Sequence, residues 1–178
     1  MLKFQSDFPI FGKEAGYIRY LVDELKVFST FYDAAMAGAV LGVLYERTSE
    51  DRSNYKATIF ADKMNKSYED TMMTFRLVIL TQQKIDWTNK QRVDICFRYN
   101  TDPHPSQEES ELLGQAVKLF ISYIKGGLDI LFEAFQNRVV DDPYEIVSRE
   151  MDLIGRIHKL SEEQAEILTD DAILTPSY

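Results

Sequence analysis

The hydrophobic pattern is helical almost from end to end. Its densest segment is Thr30–Tyr45, TFYDAAMAGAVLGVLY, apolar or small all round the helical wheel with Asp33 as its one charge. A helix apolar on every face is buried on every face, which predicts a central helix that the rest of the chain wraps. Ala34, Gly38 and Gly42 lie four apart, as do Ala35 and Ala39, so other helices can approach closely along these rows.

Around this element the periodicity predicts further helices. Tyr17, Leu21, Leu25 and Phe28 repeat at helical spacing over Lys13–Phe28, and the chain breaks near Ser29. Thr30 with Asp33 is a plausible N-cap pair for the central helix, which ends in the polar run Glu46–Asn54. A short helix is expected over Lys56–Asn65. Another follows over Tyr68–Gln83, starting at Ser67 with Asp70 three residues on, and its face carries Tyr68, Met72, Phe75 and Ile79. Thr88 with Gln91 and Ser106 with Glu109 are capping boxes. The first opens a helix to about Tyr99; the second opens the longest one, Gln107–Asn137, with NTDPHP as the loop between them. Along that long helix Leu113, Val117, Phe120, Ile124, Gly127, Leu131 and Phe135 form a seam.

Gly126-Gly127 interrupts the long helix, and two glycines there cost about 1 kcal/mol each against alanine. One contact accounts for both small-residue sites: Gly38 and Gly42 of the central helix crossing Gly126 and Gly127. If these residues face outward instead, they mark a subunit interface. Asp142-Pro143 with Glu145 starts a last helix running to about Leu160, with Val147, Met151, Ile154 and His158 on one stripe. No strand alternation is evident. The expectation is an all-α, single-domain bundle of about six helices over residues 1–160, followed by an acidic tail, 161–178.

The N-terminus departs from the helical pattern. Phe4, Phe8, Pro9, Ile10 and Phe11 precede Gly12 and predict an aromatic arm that lies across the bundle or inserts into a partner. MLKFQSDFPIF lacks a signal peptide's apolar run and cleavage site. The longest apolar run falls short of the roughly 20 residues needed to span a bilayer. A cytoplasmic protein is expected.

Charge alters the picture in one respect. The 178 residues carry a net charge of −9, divided as +1 over residues 1–100 and −10 over 101–178. The acidic part repels phosphate backbones and disfavours nucleic-acid binding there. The best basic stretch, Lys84–Arg98, is diluted by Asp86 and Asp94 and reads as a solvated helix face.

Candidate chemistry is sparse. Cys96, the only cysteine, sits between Ile95 and Phe97 and is expected to be buried. Neither His104 nor His158 has a glutamate three residues before it, which argues against a ferritin-like carboxylate metal site. There is no G-x-S-x-G, and Gly38-x-x-x-Gly42 lacks the following Lys-Ser/Thr of a phosphate loop. No cofactor is expected. Arg76, inside an apolar face, is expected to hold a buried ion pair with Asp33 or Glu46, or to make a subunit contact. His158 is expected to be partly buried.

Arg98-Tyr99-Asn100-Thr101-Asp102-Pro103-His104 places five residues between an arginine and a histidine. This spacing resembles that of the HEPN ribonucleases. The resemblance implies His104 in acid–base work on an RNA 2′-OH and Arg98 on phosphate charge, although Tyr99 departs from the family's usual residue after the arginine. The alternative is a helix-terminal cation and a turn histidine.

Several blocks carry a second resemblance. They are Phe8-Pro9-Ile10-Phe11-Gly12-Lys13 with Tyr17-Ile18, Ala37-Gly38-Ala39 with Leu44-Tyr45, Ile59-Phe60-Ala61-Asp62, Phe75-Arg76-Leu77, and Tyr123-x-x-Gly126-Gly127. Together, over about residues 8–135, they resemble small helical proteins of prokaryotic phage-defence and DNA-modification clusters, of the DNA phosphorothioation (dnd-associated) type. That implies a bacterial accessory protein working with larger subunits. The expected function is therefore a non-enzymatic adaptor or assembly subunit that binds larger subunits or further copies of itself. Its expected contact surfaces are the arm (Phe4, Phe8, Ile10, Phe11) and Met72 and Met73. The alternatives are a ribonuclease using Arg98 and His104, or a regulatory module acting through the acidic tail.

Overall fold

The computed structural model describes residues 7–50, 55–59, 63, 66–99, 101, 102, 104–136 and 143–172. They are mainly helical. In order they form strand β1 (Phe8–Phe11), helix α1 (Glu14–Arg19) with a π-helical extension Tyr20–Glu24, and helix α2 (Phe31–Leu44). Strand β2 (Lys56–Ile59), helix α3 (Tyr68–Thr81), and helix α4 (Asn89–Val93) with a π-helical extension Asp94–Tyr99 follow. The long helices α5 (Gln107–Phe135) and α6 (Pro143–Ala172) complete the chain. Two compact units result, Met1–Glu133 and Ala134–Tyr178, divided near the end of α5. Among the described residues no helix is long and apolar enough to cross a membrane.

Local chemistry sets most helix starts. The Thr30 hydroxyl accepts from the Asp33 N–H at 3.2 Å, and the Thr88–Gln91 capping box is complete. Ser106 and Glu109 exchange bonds of 2.9 and 3.2 Å. Ser67, by contrast, makes no side-chain cap; the Thr71 N–H and hydroxyl both donate to its carbonyl at 2.9 Å.

α2 ends in a Schellman turn, with the Arg47 N–H on the Gly42 carbonyl at 2.8 Å and the Glu46 N–H on Val43 at 3.2 Å. Glu46 stands there at φ 50°, where glycine is usual. α1 stops earlier than its periodicity suggests. Leu25 bonds back to Tyr20, Val27 to Leu21, and Lys26 turns left-handed at φ 55°.

Three expectations are overturned. The N-terminal arm is in part a strand: β1 pairs antiparallel with β2 in the register Phe8↔Ile59, Pro9↔Thr58, Ile10↔Ala57, Phe11↔Lys56. Lys56–Ile59 is accordingly a strand and not the start of a helix; most of residues 60–65 lie outside the described residues. The ribbon buries Ile10, Ala57 and Ile59, while Phe11 faces solvent at 43% exposure. α6 runs unbroken through Ser161, where a stop was expected, to Ala172.

α2 and α5 cross backbone to backbone. A Cβ added to Gly127 would lie 1.7 Å from the Gly38 carbonyl oxygen, and one on Gly42 would lie 2.1 Å from that of Tyr123. One on Gly126 would meet the Arg47 carbonyl oxygen at 1.9 Å, beneath the Schellman turn. Beside this crossing the core fills with large side chains. Phe75 meets Phe120 edge-on at 5.5 Å, and Tyr17 stacks on Phe132 at 3.8 Å.

Candidate functional site

Three features of the surface and near-surface stand out, and the first is apolar. On α3, Met73, Leu77 and Leu80 repeat at +4 and +3 and are exposed, Met73 by 73%. On α4 and its extension Val93 and Phe97, four apart, are exposed as well. Arg76 joins the two rows: its guanidinium lies 4.7 Å from the Phe97 ring centroid, and its Nε donates to the Cys96 carbonyl at 3.3 Å. No carboxylate pairs with Arg76 among the described residues, so the expected ion pair is replaced by stacking on an aromatic face.

Arg92 fixes the register of the two helices. Its Nη1 donates to the carbonyls of Ile79 at 3.3 Å, Leu80 at 3.3 Å and Gln82 at 2.5 Å, covering the orphan carbonyls at the end of α3. Beneath the patch Cys96 is buried, and that burial pushes its thiol up to about 11 against a smaller opposing pull from Arg76. Such a thiol is unreactive at neutral pH.

The second unit presents a similar stripe. Tyr144, Val147, Met151 and Ile154 on α6 are exposed at +3, +4 and +3 spacing. The unit holds itself together partly through Arg149, which pairs with Glu145 at 3.0 Å and donates to the Ala134 carbonyl at 3.1 Å. His158 is exposed and pairs with Glu162 at 3.4 Å, contrary to the partial burial expected of it.

The third feature is a ridge of charge on α5. Lys125, Asp129 and Glu133 are four apart and meet the start of α1 and the exit of α2. The Lys13 ammonium lies 3.1 Å from Asp129 Oδ2, and Arg47 reaches the same oxygen at 3.5 Å. Arg47 also grips Glu133 through two bonds of 2.6 and 2.7 Å. This bidentate hydrogen bond holds the Glu133 carboxyl below its ordinary range. Burial pulls the Lys13 ammonium down, but its bond to Asp129 and that carboxylate's charge outweigh it, leaving its pKa raised. Glu14, fully buried, accepts from the Ser49 hydroxyl and faces Lys125 at 3.7 Å.

Lys125 also lines a cavity of about 770 Å³ between β1, the stretch after α2, the turn after α3 and the middle of α5. Its walls include Pro9, Phe11, Ile85 and Leu119, with Glu50, Lys84, Lys118 and Lys125.

The residues singled out by sequence divide clearly. Gly38, Gly42, Gly126 and Gly127 meet at the α2–α5 crossing. Phe11 and Met73 are exposed, whereas Ile10 and Met72 are buried inside the first unit and cannot serve as contact surface. Phe4 lies outside the described residues, and Phe8 is placed only by its strand. Arg98 pairs with Asp94 at 3.6 Å and Glu109 at 3.3 Å, and stacks on Tyr99 at 4.9 Å. His104 is exposed, its N–H donating to the Asp102 carboxylate at 2.8 Å; no hydrogen bond or ion pair joins it to Arg98. Among the described residues no group of three or more His, Cys, Asp or Glu side chains is placed to hold a metal ion. The charge ridge escaped the sequence reading, though the +4 spacing of 125, 129 and 133 in the otherwise apolar second half of the helix signals it.

No family model matches the chain, and no curated protein or solved structure matches it either.

Proposed function

We propose that this protein is a non-enzymatic adaptor or assembly subunit of a bacterial multiprotein complex. One observation carries the reading: Met73, Leu77 and Leu80 on α3 and Val93 and Phe97 on α4 and its extension are exposed, and Arg76 of α3 stacks on Phe97. Chains that act alone rarely leave so many neighbouring large apolar side chains in water, and an arginine stacked on an aromatic ring is a common interface anchor. The exposed stripe of α6 supplies a second surface of the same kind, suited to a partner helix.

The resemblance of residues 8–135 to accessory proteins of phage-defence and DNA-modification clusters supports a cytoplasmic setting with larger subunits as partners. Arg98 is less suited to phosphate, since two carboxylates already neutralise it.

The test is co-expression with the larger subunits encoded beside it. The wild type is expected to co-purify with one of them. Leu77→Asp with Phe97→Asp should abolish this while leaving the circular dichroism unchanged. A wild type that elutes as a monomer and retains none of these subunits overturns the proposal.

A further inference from the structure

Each unit exposes apolar side chains beside one ionised group that has no counter-charge among the described residues. In the first unit that group is Arg76. Its guanidinium lies over the Phe97 ring and its Nε donates to the Cys96 carbonyl, while its two terminal nitrogens make no hydrogen bond or ion pair with the described residues. An arginine held on an aromatic face in this way keeps its planar fork for a carboxylate. Met73, Leu77 and Leu80 of the same helix are exposed around it.

In the second unit Tyr144, Val147, Met151 and Ile154 follow one another along α6 at +3, +4 and +3. A helix sets its anchors into an apolar surface at this spacing. Glu150, three residues after Val147 and four before Ile154, borders the stripe. It is half-buried and makes no hydrogen bond or ion pair with the described residues. Ser148 and Gly155 form the other border; both are exposed, and a Cβ on Gly155 would meet nothing within 4 Å.

Charge selects among the ways in which two copies can meet. The α3–α4 face on a second such face gives Arg76 only another guanidinium. The stripe on a second stripe gives Glu150 no cation, because positions 148, 150 and 155 hold no Lys or Arg. The stripe on the α3–α4 face gives both groups an opposite charge. The wider balance has the same sign: residues 134–178 hold four Lys/Arg and ten Asp/Glu, whereas residues 84–98 hold four and two.

We propose that α6 of one copy docks on the α3–α4 face of a second copy, its apolar stripe on the exposed side chains there and Glu150 on Arg76. Made in both directions, the contact closes about a two-fold axis as a dimer. It rests on the exposed faces of the adaptor reading and assigns them one occupant. Self-association is measured on the purified chain alone and capture of larger subunits by co-purification, so either can fail without the other.

Sedimentation equilibrium of the full chain is expected to give twice the 20.6 kDa of one chain. The expected Kd is below about 10 μM. Arg76→Glu and Glu150→Arg should each weaken the dimer at least about tenfold, since each sets like charges together. An equimolar mixture of the two variants restores opposite charges at both contacts of a heterodimer, and should dimerise within about threefold of the wild type. If Arg76→Glu loses its helical circular dichroism, Leu77→Asp and Met151→Asp take the place of the pair. Each of these alone should be monomeric, and their mixture should form heterodimers through the one contact left intact. The proposal is overturned by a wild type still monomeric at about 100 μM, by a folded single variant that dimerises unchanged, or by a mixture no tighter than its components.

Discussion

Gly127 of α5 lies directly against the carbonyl of Gly38 in α2, so close that a methyl group on Gly127 would come within 1.7 Å of that oxygen. Gly127→Ala must therefore push the two backbones apart. The expected loss is about 3 kcal/mol or more, read by chemical denaturation with m unchanged. Gly114 lies on the same helix with nothing within 4 Å of its would-be Cβ. Gly114→Ala should stabilise by roughly 0.5–1 kcal/mol, through helix propensity and a less flexible unfolded chain. Equal effects from the two substitutions would contradict the crossing.

Glu46 occupies the left-handed position of the Schellman turn at φ 50°. A side chain there costs free energy that glycine avoids. Glu46→Gly is expected to raise stability by roughly 0.5–1 kcal/mol, seen as a higher denaturation midpoint. A lower midpoint would mean that the Glu46 side chain contributes more than its backbone strain costs.

The bond from Arg47 to Glu133 makes stability depend on acid. Because the carboxyl's pKa is depressed in the folded protein, its contribution is full above the ordinary value of 4.5 and is lost as pH falls through the folded value. Its half-exposed position limits the effect to under about 1 kcal/mol. Glu133→Gln should lower stability at pH 7 and flatten the decline below pH 4.5, as measured by urea unfolding across pH.

Cys96 is buried, with its thiol at about 11, so the native protein holds very little thiolate at pH 8. Alkylation by iodoacetamide should be at least about 100-fold slower than in the unfolded chain, and should track opening of the α3–α4 region. Rapid labelling of native protein would show that this region opens readily.

What the sequence revealed was mostly local. Thr30 with Asp33, Thr88 with Gln91 and Ser106 with Glu109 act within one turn, so spacing alone exposes them. The all-helical class and the small residues of α2 and α5 were legible for the same reason: periodicity survives without knowledge of partners. The β1–β2 ribbon was not legible. Its four-residue strands are too short for alternation to register, and Ile10 finds Ala57 across a long separation. Ile10 and Met72 therefore looked like contact residues, while the fold buries them.

The cavity was equally hidden, because Phe11, Lys84 and Lys118 come from separate parts of the chain. The stop after α1 was obscured for a different reason. Lys26, not glycine, takes the left-handed turn, so composition gives no punctuation there.

The α2–α5 crossing also bears on how the first unit can move. Helices that meet through long side chains can slide past each other by changing rotamers, which is how shear motions arise. Where Gly38 meets Gly127 and Gly42 meets Tyr123, main chain rests on main chain, and there are no rotamers at the glycines to change. The two helices are therefore locked against sliding and respond to load as one beam. Lys118 and Lys125, on this same beam, keep their spacing, and any widening of the cavity must come from its other walls, at Pro9 and Phe11, at Ser49 and Glu50, or at Lys84 and Ile85.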